Sequence, residues 1–402
     1  MNSRIQFQFV LGLIAVLAGS SALAEKQYGL GVTDTEIKIG QTMPYSGPAS
    51  AYGTIGRSET AYFKMINDHG GINGRKINMI SLDDGYSPPR TVEQTRRLVE
   101  HEEILLLFSS LGTATNSSVH KYLNAKKVPQ LFVASADGKF GDPEHYPWTM
   151  GWIPNQQTET GAYAQYILKV RPNARIAVLF QNDDFGKDYF KWFKSALGAA
   201  SSRLIVATAS YETTDPTVDS QIVTLQASGA DVFVNLSTPK FAAQAIRRAH
   251  DIGWRPLHIL VGASRSVSAV LQPAGLEKSV GIVTGAYLKD PTDPQWKADP
   301  AVKEWFAWMD KYYPEGDRAD FYNAAGYTFA QTLVLVLRQC ADDLTRENVM
   351  RQAANLHNVT LPLLLPGIRI NTGPTDFRPV KQMQLQRFDG VRWVLFGDVI
   401  GE

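Results

Sequence analysis

Four short apolar runs decide the fold: RIAVLF (175–180), RLIVATA (203–209), DVFVNL (231–236) and LHILV (257–261), whose starts lie 28, 28 and 26 residues apart. That interval holds one strand and one crossover helix, so its repetition predicts βαβ units around a parallel sheet. The segments between fit. Lys187 to Leu197 and Phe241 to Ile252 alternate polar and apolar residues at the helical period rather than the strand period.

Working back towards the N-terminus, Glu36 to Gln41, Lys76 to Leu82, Ile104 to Phe108 and Pro129 to Val133 read as a second set of strands. Ile55, Tyr62 and Ile66 share one face of a helix that His69-Gly70-Gly71 ends, and Ser87 is placed to cap a helix opened by Pro88-Pro89. Two such series in one chain predict two similar α/β lobes. The last third differs. Helices are expected at Ala301 to Tyr313, Tyr322 to Gln339 and Thr345 to Leu356, then a Pro- and Gly-rich passage from Leu361 to Pro379. A hairpin follows, Gln382 to Phe388 and Val391 to Phe396, turning at Asp389-Gly390.

The first residues form their own unit: Arg4, an apolar stretch Phe9 to Leu17 and the small-residue site Ala22-Leu23-Ala24 read as a secretory signal peptide, residues 1–24, with export to the periplasm. No Cys near that site offers a lipid anchor, and no later run is long enough to span a bilayer; Thr328 to Leu337 is broken by Gln331 and ends at Arg338. The only Cys, Cys340, leaves no internal disulfide, so a large apolar core must hold the chain together. Lys and Arg number 40 against 39 Asp and Glu, and the leader removes only Arg4. That balance argues against a nucleic-acid partner or a polybasic membrane surface.

Catalytic patterns are missing. The histidines at 69, 101, 120, 145, 250, 258 and 357 form no metal-binding pair, so neither a metal site nor a cofactor is expected. Gly262-Ala263-Ser264-Arg265-Ser266 lacks the final Gly of a nucleophile elbow, which leaves a secreted hydrolase as a weak rival with no catalytic residues to name. Asp83-Asp84 and Asp183-Asp184 each follow an expected strand, where Asp serves turns and caps.

Several motifs in register now resemble one family: Ile37-Lys38-Ile39-Gly40 with Pro44-Tyr45-Ser46-Gly47 and Tyr52-Gly53, the run Ile66 to Arg75, Asp83-Asp84, Asp184-Phe185-Gly186 and Gly229-Ala230-Asp231. Together they resemble type I periplasmic binding proteins of the branched-chain amino acid transporter family. The resemblance implies an α/β fold of two Rossmann-like lobes with parallel central sheets, joined by three hinge crossovers. Lobe one would hold 25–151 and 286–365, and lobe two 152–285 and 366–402. It also implies a ligand trapped between the lobes and delivered to an inner-membrane ABC permease, with a ligand sensor docking on a signalling partner as an alternative role.

By the same likeness, Thr113, Ser135 and Asp137 occupy the loops that hold a ligand carboxylate, while Tyr45 and Phe185 stand where side-chain contacts are made. Trp152 and Tyr322 fall in or near cleft loops. The departure is Ser264, where amino-acid-binding relatives usually place an acid against the ligand ammonium; a buried ammonium without an anion costs several kcal/mol. Arg265 beside it suits a carboxylate, with Asp137 accepting a hydrogen bond from a hydroxyl at the far end. The expected ligand is therefore an aromatic or otherwise amine-free carboxylate, with a branched-chain amino acid as the alternative.

Overall fold

The computed structural model describes residues 26–401, and the expected signal peptide lies outside them. Two sheets with parallel centres organise the chain. The first has five strands in the order Lys76–Asp83, Glu36–Met43, Leu106–Phe108, Gln130–Val133 and Thr149–Gly151, all parallel. The second has seven. From one edge they run Ile205–Tyr211, Ile176–Gln181, Val232–Leu236, Leu257–Leu260 and Val283–Ala286, all parallel, and then the antiparallel hairpin of Gln382–Phe388 and Trp393–Gly401. In both sheets the second strand in sequence lies outside the first and the third lies on its other side. This reversal of strand order opens a crevice at the carboxyl ends of the first and third strands.

Both strand series fall where the apolar runs place them, to within two residues at each end. Two strands escape the pattern: Thr149–Gly151 and Val283–Ala286 are three and four residues long and each carries a Gly. Neither shows a period; pairing alone makes them strands, each parallel beside the fourth strand of its sheet, with Val283–Ala286 also antiparallel to Gln382–Phe388. The hairpin forms, with its tip one residue later than expected. Asp389 and Arg392 are joined by their backbones at 3.0 Å, and the Asp389 carboxylate accepts the Val391 and Arg392 N–H groups, leaving Gly390-Val391 at the turn.

The late helices return to the first sheet. Pro300–Tyr312 and Phe321–Gln339 share one apolar core with Ile37, Ile39, Phe108, Met150 and Trp152, and the Ser58 hydroxyl donates to the Asn323 carbonyl at 2.7 Å. Cys340 is buried in that core. The second sheet is covered on its two faces by separate apolar clusters, one around Phe185, Tyr189 and Phe193 and one around Phe233, Phe241 and Trp254.

The paired aspartates serve turns. Asp83 accepts the N–H groups of Tyr45, Ser46 and Gly85, Asp84 accepts the Tyr86 N–H and the Thr91 hydroxyl, and Asp183 accepts the Gly186 N–H at the start of the helix Asp184–Leu197. Ser87 behaves otherwise than expected. It precedes the helix Pro88–Glu100, but its side chain makes no cap bond; the two prolines remove two of the donors a cap would satisfy, and Thr91 bonds back to the Ser87 carbonyl instead. Among the described residues no helix is long and apolar enough to cross a membrane.

Candidate functional site: an aromatic cavity between the lobes

The loops at the two strand-order reversals face each other and enclose a cavity of about 70 Å³. Eight aromatic rings line it and no charged side chain does. Tyr52 and Tyr86 come from the loops after the first two strands of lobe one, and Phe185 and Tyr189 from the helix that follows the first strand of lobe two. Tyr287 follows the strand Val283–Ala286, and Phe321, Tyr322 and Phe329 lie on the long helix Phe321–Gln339.

Local sequence explains the lobe-two wall. Asp183 caps the helix, and Phe185 and Tyr189, four residues apart, stand on the same face with ring centres 5.2 Å apart. Gly186 lets this helix start against the strand end, because a Cβ there would lie 2.1 Å from the Gln181 carbonyl oxygen. The Tyr189 hydroxyl donates to Glu159 at 2.6 Å. Glu159 also accepts the Tyr163 hydroxyl and the Gly262 N–H, each at 2.6 Å, so this buried carboxylate is held by three donors behind the wall. Burial pushes the phenols of Tyr52, Tyr86, Tyr189 and Tyr322 well above their ordinary value and that of Tyr287 up to about 12, so the wall is neutral.

Of the nine residues singled out in the sequence, four line the cavity: Thr113, Ser135, Phe185 and Tyr322. Thr113 opens the helix Thr113–Ala125, and its hydroxyl meets that of Ser135 at 2.8 Å. The Tyr322 hydroxyl crosses to the Ala263 carbonyl at 2.7 Å, joining the two sides of the cleft. The other five do not line it. Tyr45 bonds Ser81 at 2.6 Å in a chain that continues to Gln41 and Glu59. Trp152 is fully buried, donating its indole N–H to the Thr332 hydroxyl at 2.9 Å, with Phe329 between it and the cavity side. Ser264 is buried and donates to the Ser237 carbonyl at 2.6 Å.

Arg265 and Asp137 differ sharply in how their charges are met. Asp137 pairs with Lys139 at 3.0 Å, and Lys139 reaches across the cleft to Asp184 at 3.3 Å and Asp188 at 3.7 Å on lobe two. Arg265 is 3% exposed and forms no ion pair among the described residues. One of its terminal nitrogens donates to the Gly285 carbonyl at 2.8 Å, and the other has no partner. Its guanidinium lies against Phe321 and Tyr287, both rings of the cavity wall. Burial lowers its pKa; Tyr287 and Glu159 act the other way.

Sequence reading missed Tyr52, Tyr86, Tyr189, Tyr287, Phe321 and Phe329 as wall residues. For Tyr189 a signal existed, its i+4 relation to Phe185, and Tyr52 stood within a quoted motif. For Tyr287 and Phe321 there was none, since their facing depends on how the last third of the chain returns to the first lobe. Among the described residues no cluster of three or more His, Cys, Asp and Glu is placed to hold a metal.

Residues 36–392 match the family described as "Periplasmic binding protein". The chain is 22% identical over 333 residues to the Leu/Ile/Val-binding protein homolog 7 of Brucella abortus, covering 79% of this chain and 81% of that one. It is 26% identical over 239 residues to an amino acid binding protein of Pseudomonas aeruginosa, covering 56% and 58%. Among solved structures, it resembles a branched chain amino acid ABC transporter protein from Thermus thermophilus with bound valine at TM-score 0.83 and 16% identity, covering 92% of this chain and 98% of that one. A fatty acid ABC transporter substrate-binding protein from Thermomonospora curvata gives TM-score 0.77 at 20% identity, covering 94% and 95%. At these identities the likeness to solved structures speaks for the fold.

Proposed function

This chain belongs to the periplasmic binding protein family, and from that we propose that it is the substrate-binding protein of an ABC-type uptake transporter, taking a small carboxylate with an aromatic or otherwise amine-free apolar body. It binds in the periplasm, changes nothing covalently and hands its ligand to an inner-membrane permease. Lobe one is assigned 25–151 and 286–365, and lobe two 152–285 and 366–402.

One observation carries the ligand class. The cavity wall holds eight aromatic rings and no anion, while a buried Arg265 with an unpartnered N–H stands directly behind two of those rings. A ligand ammonium would find no carboxylate on the wall itself, because Glu159 stands behind it with its oxygens taken by Tyr163, Tyr189 and the Gly262 N–H, and it would meet the field of a buried cation as it lost its water. A carboxylate gains from the same cation, given a small displacement of Phe321 or Tyr287, and flat rings accept an aromatic body. The role of Asp137 as an acceptor for a ligand hydroxyl finds less support, because Lys139 already pairs with it.

A branched-chain amino acid is the second reading. It is favoured by the Thr113–Ser135 hydroxyl pair facing the cavity at the start of a helix, a place where a carboxylate is stabilised. Relatives named for leucine, isoleucine and valine point the same way. Native mass spectrometry of the purified protein, followed by a thermal-shift panel of benzoates, phenylpropanoids and aliphatic amino acids, separates the two. A ligand at about 100 times its dissociation constant adds roughly 2.7 kcal/mol of stability. Stabilisation by leucine, isoleucine or valine and by no aromatic acid would replace the first reading with the second. Turnover of a bound compound would favour the hydrolase.

A further inference from the structure

A second space adjoins the aromatic cavity. It is an open vestibule of about 680 Å³ at the mouth of the cleft, between Gly47, Pro48 and Ser87 of lobe one and Thr213, Thr214 and Lys240 of lobe two. Tyr86 is the one residue that lines both spaces. The inner cavity is small: an apolar cavity of roughly 150 Å³ is what holds a benzene ring, against about 70 Å³ here. A ligand with a ring therefore enters only as the Phe321 or Tyr287 ring gives way, a longer one needs room beyond that, and the wall towards the vestibule is one side chain thick.

Tyr86 is held in that position by its backbone and its seat. It lies in the left-handed region at φ 59, straight after Gly85 at φ 57, a conformation that a bulky aromatic residue seldom adopts. The Asp84 carboxylate fixes the turn by accepting the Tyr86 N–H at 3.0 Å, and Thr91 holds Asp84 from the other side at 2.8 Å. The ring rests on Gly112, where a Cβ would come within 2.6 Å of the ring edge. A strained residue pinned at its N–H, with a glycine cleared beneath its ring, is a placement that serves the cavity rather than the loop.

We propose that Tyr86 is the length-determining residue of the binding site: its ring plugs the passage from the aromatic cavity to the vestibule and so restricts the protein to compact ligands. Without the ring the two spaces join, and the site accepts chains that run out between Pro48 and Lys240. This rests on the cavity being the ligand site, and the test below separates it from the carboxylate reading.

Two probe series of rising chain length, the neutral n-alkylbenzenes and the matching ω-phenylalkanoates, are titrated by thermal shift and calorimetry against the native protein, Tyr86→Phe, Tyr86→Ala and Tyr86→Gly. Glycine suits the positive φ, so that variant removes the ring without straining the loop and stands in if the alanine variant folds poorly. The native protein and Tyr86→Phe should share a cut-off beyond which each added methylene weakens binding. In Tyr86→Gly each methylene past that point should strengthen binding by about fourfold, the value of burying one CH₂. An unchanged cut-off in the glycine and alanine variants overturns the proposal, and so does a failure of both series to bind these two variants. A cut-off that moves for alkylbenzenes while no acid binds supports the plug and sinks the carboxylate reading. Acids that bind with a fixed cut-off do the reverse.

Discussion

The Arg265 guanidinium carbon lies 3.6 Å from the centre of the Phe321 ring, and the Tyr287 ring centre is 4.8 Å away on the same cation. A cation over an aromatic face is worth about 2 kcal/mol when desolvated, which is less than the cost of stripping water from a guanidinium. With one N–H unpartnered, this arrangement leaves the buried cation under-compensated, which on the proposed function suits an anionic ligand.

Arg265→Ala should therefore weaken binding of a carboxylate ligand by about 2 to 5 kcal/mol, roughly thirtyfold to several thousandfold. Arg265→Lys should keep part of that affinity, since it keeps the charge but loses the planar fork. Calorimetry on variants that still melt cooperatively reads both. A loss under about threefold for Arg265→Ala would show that the cation does not meet the ligand.

Trp152 gives a contrasting case. Thr332→Val leaves its buried indole N–H without the acceptor at 2.9 Å, and should cost about 1 to 3 kcal/mol of folding stability by urea unfolding. Ligand affinity should stay level, because Trp152 stands behind Phe329. A tenfold affinity loss at unchanged stability would move Trp152 into the site.

Closure of the lobes should make the protein more compact on ligand binding, as scattering would report, because ligand touching both sides favours the closed form. Lys139 spans the cleft, but it and its partners are part-exposed. Lys139→Ala should thus lower ligand affinity by no more than about fivefold, and by less in high salt. A larger, salt-independent loss would mean that Lys139 touches the ligand.

Burial, and after it Asp137, raises the Asp188 carboxyl from 3.8 to about 6, opposed by Lys139; burial raises Asp320 to about 6 as well. A folded value above the unfolded one means that the folded chain holds the proton more tightly. The associated stability is complete below 3.8 and is lost as pH rises through about 6. Urea midpoints should carry that falling contribution up to about 6 and lose the slope above it, and Asp188→Asn should make the fall shallower. An identical slope in the variant would show that Asp188 titrates normally.

The strand runs at 175–180, 203–209, 231–236 and 257–261, with their counterparts from 36 to 133, were legible because a buried parallel strand is written as a local apolar run and its crossover helix as a 3.6-residue period. The same holds for Asp83, Asp84 and Asp183, whose capping bonds reach only a few residues along the chain or to an adjoining loop. The type and order of the periodic elements and the existence of two lobes are local properties repeated, and the sequence by itself determined them; the short strands Thr149–Gly151 and Val283–Ala286 came only with pairing. Which side chains face the ligand is not local. Tyr45 and Trp152 sit in loops as promising as those of Thr113 and Phe185, yet Tyr45 is engaged by Ser81 away from the cavity and Trp152 is fully buried against Thr332. Tyr287 and Phe321 reach the cavity only because the last third of the chain folds back on lobe one, and Tyr86 separates two spaces that exist only once lobe two stands opposite. A cavity wall is assembled from residues more than two hundred positions apart, so its membership is decided by how the lobes pack, which no period or propensity along the chain encodes.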